Sequence, residues 1–247
     1  MRQLSWRKDR PLHDVPVLVW GLLLLTFALQ LFWHSQQPAI VARASSLEPP
    51  LPVQAYILSS LDEPLAMAKI LNLWLQSYDD QPGISLSFRQ LNYPRIAQWL
   101  DLSLKLDPKG RYPLLAATRV YGGVSDLKRK RFMMDYVYKK FKADPNRRWI
   151  WLAYAVVIAK HELKDLPLAL KYATALTEKA TGKNVPYWAR DMRIFVLEDM
   201  GEVEDAKALL GGLLASGAIT DRHELAFLSE RLKALEKKST SGRQSVE

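Results

Sequence analysis

The sequence predicts an all-α protein, with an N-terminal transmembrane helix followed by an α-solenoid of about four helix-hairpin repeats. Three observations lead to this prediction. Residues 15–33 form an uncharged apolar run. The pair Asp-Pro at 107–108 recurs at 144–145, so the two pairs stand 37 residues apart. The stretches around them carry apolar residues at the spacing of amphipathic helices, and 11 glycines in 247 residues favour a folded helical chain.

The N-terminal segment predicts a single membrane span. Residues 1–14 are basic, with a net charge of +2, and the segment 15–34 that follows has no charge from Val15 to Trp33. An α-helix rises about 1.5 Å per residue, so this run just crosses a hydrocarbon core of about 30 Å. Beyond it only Arg43 lies within about 20 residues, so the positive-inside rule places the N-terminus in the cytoplasm. We therefore expect an inner (plasma) membrane protein whose remaining residues are periplasmic.

Two other interpretations of the apolar segment remain open. A buried core helix fits its composition, although the segment lacks a polar face. A cleavable signal peptide is the second, because Ala42-Arg43-Ala44 fits a small-x-small cleavage site. The apolar run exceeds the usual signal core of about 7–15 residues and ends well before that site, so we favour an uncleaved anchor. Residues 35–54 hold four prolines, which predicts a linker between the anchor and a folded domain.

The spacing of small and apolar residues predicts repeated helix hairpins over residues 91–219. In the second helix of each 37-residue window, one such residue recurs at intervals of 36, 36 and 37 residues: Ala97, Met133, Ala169 and Ala206. Asp-Pro separates the units, because the residue before proline avoids the α region. A single hairpin leaves an apolar face exposed, whereas stacked hairpins form a continuous core. The Asp-Pro pair therefore recurs because a structural unit recurs.

Over roughly residues 92–219 this pattern resembles the tetratricopeptide repeat (TPR). The matching features are helix-turn-helix units of similar length, small residues in the second helix, a glycine in a turn and prolines at unit ends: Ala169, Ala206, Gly201, Pro108 and Pro145. The units have 36–37 residues rather than about 34, the family's Trp-Leu-Gly-Tyr pattern is missing, and the third unit ends in Thr-Gly. A related α-solenoid accounts for the same pattern. The resemblance implies a scaffold that holds a peptide or protein in a concave groove, without catalysis.

Further helices flank the repeats. Residues 55–90 predict one or two helices, with four residues on one face: Leu65, Ala68, Leu71 and Leu75. Residues 220–238 predict a helix that caps the stack, again with four aligned residues: Leu225, Leu228, Leu232 and Leu235. Asp221 is its predicted N-cap, and Glu224 completes a capping pattern. The polar segment 239–247 is predicted to be disordered.

No constellation of residues predicts catalysis, a metal or a cofactor. The sequence has no cysteine, which excludes a disulfide framework and a thiolate zinc site. His161 and His223 are each followed by Glu-Leu, but neither has the second histidine of a zinc-protease helix. The sequence lacks Gly-rich phosphate loops and Gly-x-Ser-x-Gly elbows, and its acidic run at 198–205 lacks EF-hand spacing. We expect no catalytic residue, metal or cofactor, and an enzyme is the least supported class.

Two groups of residues are candidates for partner binding, and the first is a basic patch. The segment 128–148 has a net charge of +7, and its patch residues are Lys128, Arg129, Arg131, Lys139, Lys140 and Lys142. Because aromatic residues interleave with them, three interpretations stand: a surface for anionic lipid headgroups or an acidic partner, a nucleic-acid site, or a solvated helix face with its aromatics in the core. The solvated face is favoured, and a periplasmic location argues against nucleic acid.

The second group consists of aromatic and arginine residues at similar positions of successive first helices: Arg111, Tyr112, Arg148, Trp149, Tyr187, Trp188 and Arg190. In the tetratricopeptide family, first helices line the groove. Aromatic and arginine side chains also dominate binding energy at protein interfaces. The resemblance therefore implies a partner-binding groove at these residues. Trp151 and Tyr154, by contrast, are expected to fill the core between units.

Two functions follow from these features. The first is a membrane-anchored helical-repeat scaffold that mediates protein–protein interaction or complex assembly in the cell envelope. The alternative is an accessory subunit of a membrane enzyme complex, which packs through its transmembrane helix. Small or polar residues in the span suit such packing: Gly21, Thr26, Ala28 and Gln30. In both cases the expected partners are a protein and the membrane.

Overall fold

A computed structural model describes residues 15–36, 46–81, 84–85, 87–217 and 219–244. The chain divides into two units, Met1–Arg43 and Ala44–Glu247. Within the described residues the protein is all-α, as the sequence predicts. It has eleven α-helices there, with one pair of two-residue strands.

The first unit contains the helix α1 (Val17–Gln36), which lies close to the predicted segment 15–34. Every residue of α1 is exposed. Of the helices in the described part of the chain, it is the one long and apolar enough to cross a membrane. A signal sequence near an N-terminus meets the same criterion. The preceding basic residues and the Ala42-Arg43-Ala44 site lie outside the described residues, so orientation and cleavage stay predictions.

The second unit is built from ten described helices and a short β-ladder. The helices are α2 (Val53–Ser59), α3 (Pro64–Asp79), α4 (Tyr93–Leu106), α5 (Tyr112–Leu115), α6 (Leu127–Phe141), α7 (Pro145–His161), α8 (Leu166–Lys179), α9 (Tyr187–Met200), α10 (Val203–Ala215) and α11 (Arg222–Gln244). Strands β1 (Asp80–Gln81) and β2 (Ile84–Ser85) pair antiparallel after α3. The segment 55–90 therefore holds two helices, within the predicted number.

Helix ends coincide with turn signals in the sequence. The pair Asp107-Pro108 lies between α4 and α5, and Asp144 directly precedes α7. Pro145 occupies the first position of α7, where its missing N–H is not needed. Asp126 caps α6 by accepting from the backbone N–H groups of Lys128 and Arg129 at 3.0 and 3.1 Å. Gly201 ends α9 with a φ of +84°, a conformation that glycine adopts without a steric penalty.

The first helix predicted after Pro108 is irregular. After α5 the chain forms a π-helical turn (Ala116–Val120) and then a 3-10 turn (Tyr121–Gly123). Glycine is required at position 122, because a Cβ there would lie 2.8 Å from the carbonyl oxygen of Ala117 and 2.8 Å from the Cε of Met134. The chain therefore approaches α6 closely at this turn, where the periodicity of the sequence predicts a regular helix.

Consecutive helices pack against one another along the second unit. Each helix from α6 to α9 contacts the next, and α7 also contacts α9. Four residues recur at similar positions of the predicted second helices. Met133, Ala169 and Ala206 are completely buried, whereas Ala97 is half-buried. One large apolar core runs from α3 to α9, and a second apolar cluster joins α9, α10 and α11.

The C-terminal helix α11 packs on α10, as predicted for a capping helix. Leu228 and Leu235 are buried in the second apolar cluster. The predicted N-cap is confirmed, because the backbone N–H of Glu224 donates to Asp221 Oδ1 at 2.9 Å. The helix continues to Gln244, so six residues of the segment predicted to be disordered are helical. Extending an existing helix is easier than starting one, which explains the longer helix.

The described part of the second unit begins inside the predicted linker 35–54. Leu47 is buried in the large core. The indole Nε1–H of Trp99 donates to the carbonyl oxygen of Glu48 at 2.9 Å. Helix α2 then begins at Val53. Pro49, Pro50 and Pro52 therefore lie beside chain that is packed on the core and that leads into α2, which composition alone does not distinguish from a spacer. Pro38 lies outside the described residues.

Replacing Ala169 by leucine should lower the free energy of unfolding by about 2 kcal/mol, because the side chain is completely buried and has no room to grow. Ala97 is the matched control at the same repeat position. It borders a cavity of about 340 Å³ between α4 and α6, so Ala97→Leu should cost less than about 1 kcal/mol. Urea unfolding of the full chain in detergent micelles, followed by circular dichroism, measures both. Equal losses would contradict the difference in packing.

Candidate interaction surfaces

Exposed apolar side chains concentrate at the start of the second unit. Outside α1, the described residues expose fifteen large apolar side chains, and eight of them lie between positions 51 and 74: Leu51, Ile57, Leu58, Leu61, Leu65, Ile70, Leu73 and Trp74. The other seven are spread from Phe88 to Phe227. We call these eight residues the N-terminal apolar surface. Apolar residues scattered singly over a surface are ordinary, whereas a cluster marks an interaction site.

Helix α3 is apolar on two sides. Three of the four residues predicted to share one face of this helix are buried: Ala68, Leu71 and Leu75. Leu65, the fourth, is exposed. Ile70 and Leu73 lie on the side opposite the buried residues, by the 3.6-residue period of a helix. A helix that is apolar on more than one side normally has a second neighbour.

The two most exposed members of the N-terminal apolar surface lie in the last turn of α2 and in the turn between α2 and α3. Leu58 is 82% exposed and Leu61 is 87% exposed. Leu61 has a φ of +49°, and Asp62 follows with +67°, a left-handed conformation that a leucine rarely adopts. The backbone N–H of Glu63 donates to the carbonyl oxygen of Ser60 at 2.9 Å and closes the turn. A strained backbone that presents an apolar side chain to solvent is typical of a binding site.

An aromatic cluster ties this surface to the rest of the unit. The rings of Trp74 and Trp99 lie 4.6 Å apart, and the ring of Tyr56 meets Trp99 edge-on at 6.0 Å. Each such pair contributes about 1 kcal/mol beyond the area it buries. Because Trp99 belongs to α4, the cluster holds α2 and α3 in place against α4.

Two of the three arginines predicted for the groove bind backbone carbonyls. Arg148 is 8% exposed, and its guanidinium donates to the carbonyl oxygens of Lys140 at 2.8 Å and Pro108 at 3.2 Å. Arg190 makes the same kind of contact with two carbonyl oxygens in the chain after α8, at 3.0 and 2.9 Å. A helix C-terminus leaves such carbonyls free and attracts cations. Arg148 is therefore held against the backbone, and its place in a partner-binding groove stays a prediction.

The structure brings together two pairs of the predicted groove residues. Trp149 and Trp188 stand near the starts of α7 and α9, with ring centroids 5.4 Å apart and planes at 74°. The Arg190 guanidinium lies 5.5 Å from the ring centroid of Tyr187. Trp188 is 50% exposed. The other members differ in exposure: Arg111 is exposed, and Tyr112 and Tyr187 are half-buried. Trp151, expected in the core, is buried there. Whether these residues line a groove for a partner stays a prediction.

Carboxylates neutralise three of the six residues of the basic patch, Arg129, Arg131 and Lys140. Five cations of the segment 128–148 form ion pairs: Arg129 with Asp126, Lys130 with Glu162, Arg131 with Asp165, Lys140 with Asp101, and Arg147 with Asp144. Lys128, Lys139 and Lys142 remain exposed, and the Lys142 ammonium lies 4.4 Å from the ring centroid of Tyr138. The surface therefore mixes both signs, which favours the solvated-face interpretation. Binding of anionic lipid or an acidic partner stays a prediction.

A cavity of about 410 Å³ lies between α8, α9 and α10. Its volume falls in the range of small-ligand sites. The lining includes Ile194, Leu209, Leu213 and Gly212, together with the charged residues Asp191 and Arg193 of α9. Sequence reasoning missed this place, because no motif marks it. The one available signal was the glycine pair 211–212 in the middle of an otherwise good helix.

Asp191 is the unusual group of this cavity. It is 4% exposed, and its Oδ2 has no hydrogen-bond partner among the described residues. Burial raises the pKa of its carboxyl to about 7, the Glu224 carboxylate adds to the rise, and the Arg190 guanidinium opposes it. The Nε–H of Arg193 is also buried without an acceptor in the described chain. Both residues line the cavity, but neither of these two atoms is exposed to it, so each is an unsatisfied polar group within the packed protein.

No protein-family model matches this chain, and no curated protein or solved structure is significantly similar to it. The tetratricopeptide resemblance therefore rests on the sequence pattern. Within the described residues, no three His, Asp or Glu side chains converge as a metal site requires. His161 and His223 are exposed, at the end of α7 and the start of α11.

Replacing Arg148 by methionine should lower the free energy of unfolding by about 3 kcal/mol, because two carbonyl oxygens lose a charged donor. Arg147→Met is the matched control. Arg147 is half exposed and pairs only with Asp144 in its own turn, so its loss should cost less than about 0.5 kcal/mol. Thermal or urea unfolding of the full chain measures both variants. A destabilisation by Arg147→Met as large as that by Arg148→Met would contradict the structural role of Arg148.

Replacing Asp191 by asparagine should stabilise the protein more at pH 8 than at pH 5. The pKa of Asp191 is raised to about 7, so the folded protein retains a proton that the unfolded chain loses near pH 4. Stability from this group is therefore present at low pH and lost as the pH rises through 7. Melting temperatures of both proteins across this range measure the effect. Glu224→Gln should weaken the pH dependence of the stability. If Asp191→Asn stabilised the protein equally at pH 5 and pH 8, the raised pKa of Asp191 would be contradicted.

Proposed function

We propose that this chain is a membrane-anchored helical-repeat scaffold that binds a protein partner in the cell envelope. The observation that carries the proposal is the N-terminal apolar surface, which lies on the first two helices after the candidate membrane span. The anchor is an uncleaved inner-membrane helix, with the second unit in the periplasm. The helices α4 to α10 form divergent TPR-like units that support this surface.

The contacts between helices support the repeat interpretation. First helices α7 and α9 touch each other directly, as neighbouring units of a solenoid do. Polar contacts also join positions about one unit apart. The Tyr172 hydroxyl donates to Asp135 Oδ1 at 2.7 Å across 37 positions. Lys160 of α7 pairs with Asp199 of α9 across 39 positions.

The charges around the surface favour a protein partner over the lipid itself. Asp62 and Glu63 follow Leu61 directly, beside the most exposed leucine. Anionic lipid headgroups repel carboxylates at this position. A partner helix with an apolar stripe and adjacent basic residues satisfies both the leucines and the two acids. We therefore assign this surface to such a helix, from a protein at the periplasmic face of the membrane.

The alternative function, an accessory subunit of a membrane enzyme complex, uses the same surface. Permanent interfaces are more apolar than transient ones, and the N-terminal apolar surface has eight large apolar members. A subunit keeps its partner at fixed stoichiometry, whereas a scaffold with transient clients releases it during washing. The same purification therefore distinguishes the two.

Substitution of three exposed leucines should remove the partner without unfolding the chain. Leu58→Gln, Leu61→Gln and Leu73→Gln change only exposed side chains, and we expect at least about a tenfold loss of the co-purified membrane protein. The matched control carries Leu115→Gln, Leu127→Gln and Val157→Gln, which are exposed apolar residues elsewhere on the unit. Affinity purification in mild detergent with quantitative mass spectrometry measures both.

Retention of the partner by the triple-leucine variant, or equal loss in the control, would overturn the assignment of this surface. A photo-cross-linking residue at position 61 or 73 should give a specific protein adduct, and adducts with lipid alone would favour membrane docking instead. The same mass spectra test the anchor. An intact N-terminal peptide is expected, and a chain beginning at Ser45 would contradict it.

A further inference from the structure

The outer side of α3 has the spacing of a helix that pairs with another helix. Four exposed residues recur on it at intervals of four, three and four: Ala66, Ile70, Leu73 and Ser77. This is the spacing of the seam between two coiled helices. The opposite side of α3 is buried in the large core. No described helix of the second unit covers the outer side, because all four residues are exposed.

The charged residues beside this seam carry both signs. Asp62 and Glu63 directly precede α3, and Lys69 lies three residues after Ala66, on the same side of the helix. All three charged residues are exposed, and none forms an ion pair with another described residue. Six residue steps from Glu63 to Lys69 cover about 9 Å along the helix axis. The surface therefore offers an acidic end and a basic group at separate places.

We infer that the partner of the N-terminal apolar surface is a second copy of this chain, packed antiparallel through α3 about a two-fold axis near Leu65 and Ala66. The inference rests on the function proposed for that surface and names its partner. In this arrangement Lys69 of each copy faces the two acids before α3 of the other copy. Ile70 of each copy then lies beside the exposed Leu61 of the other.

The surface is complementary to itself, which a two-fold interface requires. The partner that its leucines and acids call for is a helix with an apolar stripe and an adjacent basic residue, and α3 has both. A parallel pair of α3 helices would place Lys69 against its own copy, whereas the antiparallel pair brings opposite charges together. Ala66 is small, so two helices that cross there approach closely. Homodimer interfaces are also more apolar than transient ones, as this surface is.

The test uses an introduced cysteine in the full chain, because the sequence has none of its own. Membranes that contain Ala66→Cys are oxidised with copper-phenanthroline, and the disulfide-linked dimer is measured on a non-reducing gel. Residues beside a two-fold axis come within the Cα separation of a disulfide, so we expect at least about tenfold more dimer than from the control. The control is Val157→Cys, an exposed position on α7 that reports random collisions in the same membrane.

Reversal of charge tests the pairing of the two copies. In the Ala66→Cys chain, Lys69→Glu should lower the dimer yield at least about fivefold, because it places acids against acids. Adding Glu63→Lys to that variant should restore at least about half of the yield, since opposite charges face each other again. Lys109→Glu is the matched control, an exposed lysine in the turn before α5, and it should leave the yield unchanged.

The outcomes separate this inference from the proposed function. A dimer yield from Ala66→Cys no higher than from Val157→Cys would overturn the second copy as partner, and so would a failure of Glu63→Lys to restore the yield. If the three leucine substitutions still removed a different membrane protein, the proposed function would stand without it. If they removed nothing and no dimer formed, both would fall. A dimer that Lys69→Glu removes and Glu63→Lys restores identifies the partner as this chain.

Discussion

The apolar faces of most helices in the second unit are covered by the helices that precede and follow them in sequence. This dependence explains why Met133, Ala169 and Ala206 are completely buried at corresponding positions of α6, α8 and α10. At the C-terminal end of the unit, α11 closes the second apolar cluster. At the N-terminal end, no described helix of this unit precedes the pair α2 and α3, so their outer side chains form the N-terminal apolar surface.

The ion pairs of the second unit depend on the same packing of neighbouring helices. Acids and bases that are far apart in sequence meet because the helices that carry them are neighbours, as Lys140 and Asp101 do. A net charge counted along one segment of the sequence therefore overstates the electrostatic potential at the surface that this segment forms. Arg148 makes a comparable contact with the backbone, because its buried guanidinium links the last turn of α6 to the turn before α5. Polar contacts of this kind fix the positions of helices whose apolar contacts alone allow sliding.

Local chemistry made much of the fold predictable. Proline at position 145, glycine at 201 and the caps Asp126 and Asp221 act within one turn, so the sequence alone locates these helix ends. Asp191 was not predictable in this way. Its environment depends on α10 and α11, which approach it only in the folded protein. The N-terminal apolar surface was missed because one apolar stripe explained α3, and the pattern does not say how many of its sides are covered.

The contact between Trp99 and Glu48 has a mechanical consequence. In a chain that is tied to a membrane, as proposed above, tension would enter the second unit at its N-terminal end. Leu47 and Glu48 bind the large core before the chain reaches α2. Such a force would be taken up by α4 and the core behind it, and α2 and α3 would be shielded from load. The turn that carries Leu61 would then retain its shape under tension.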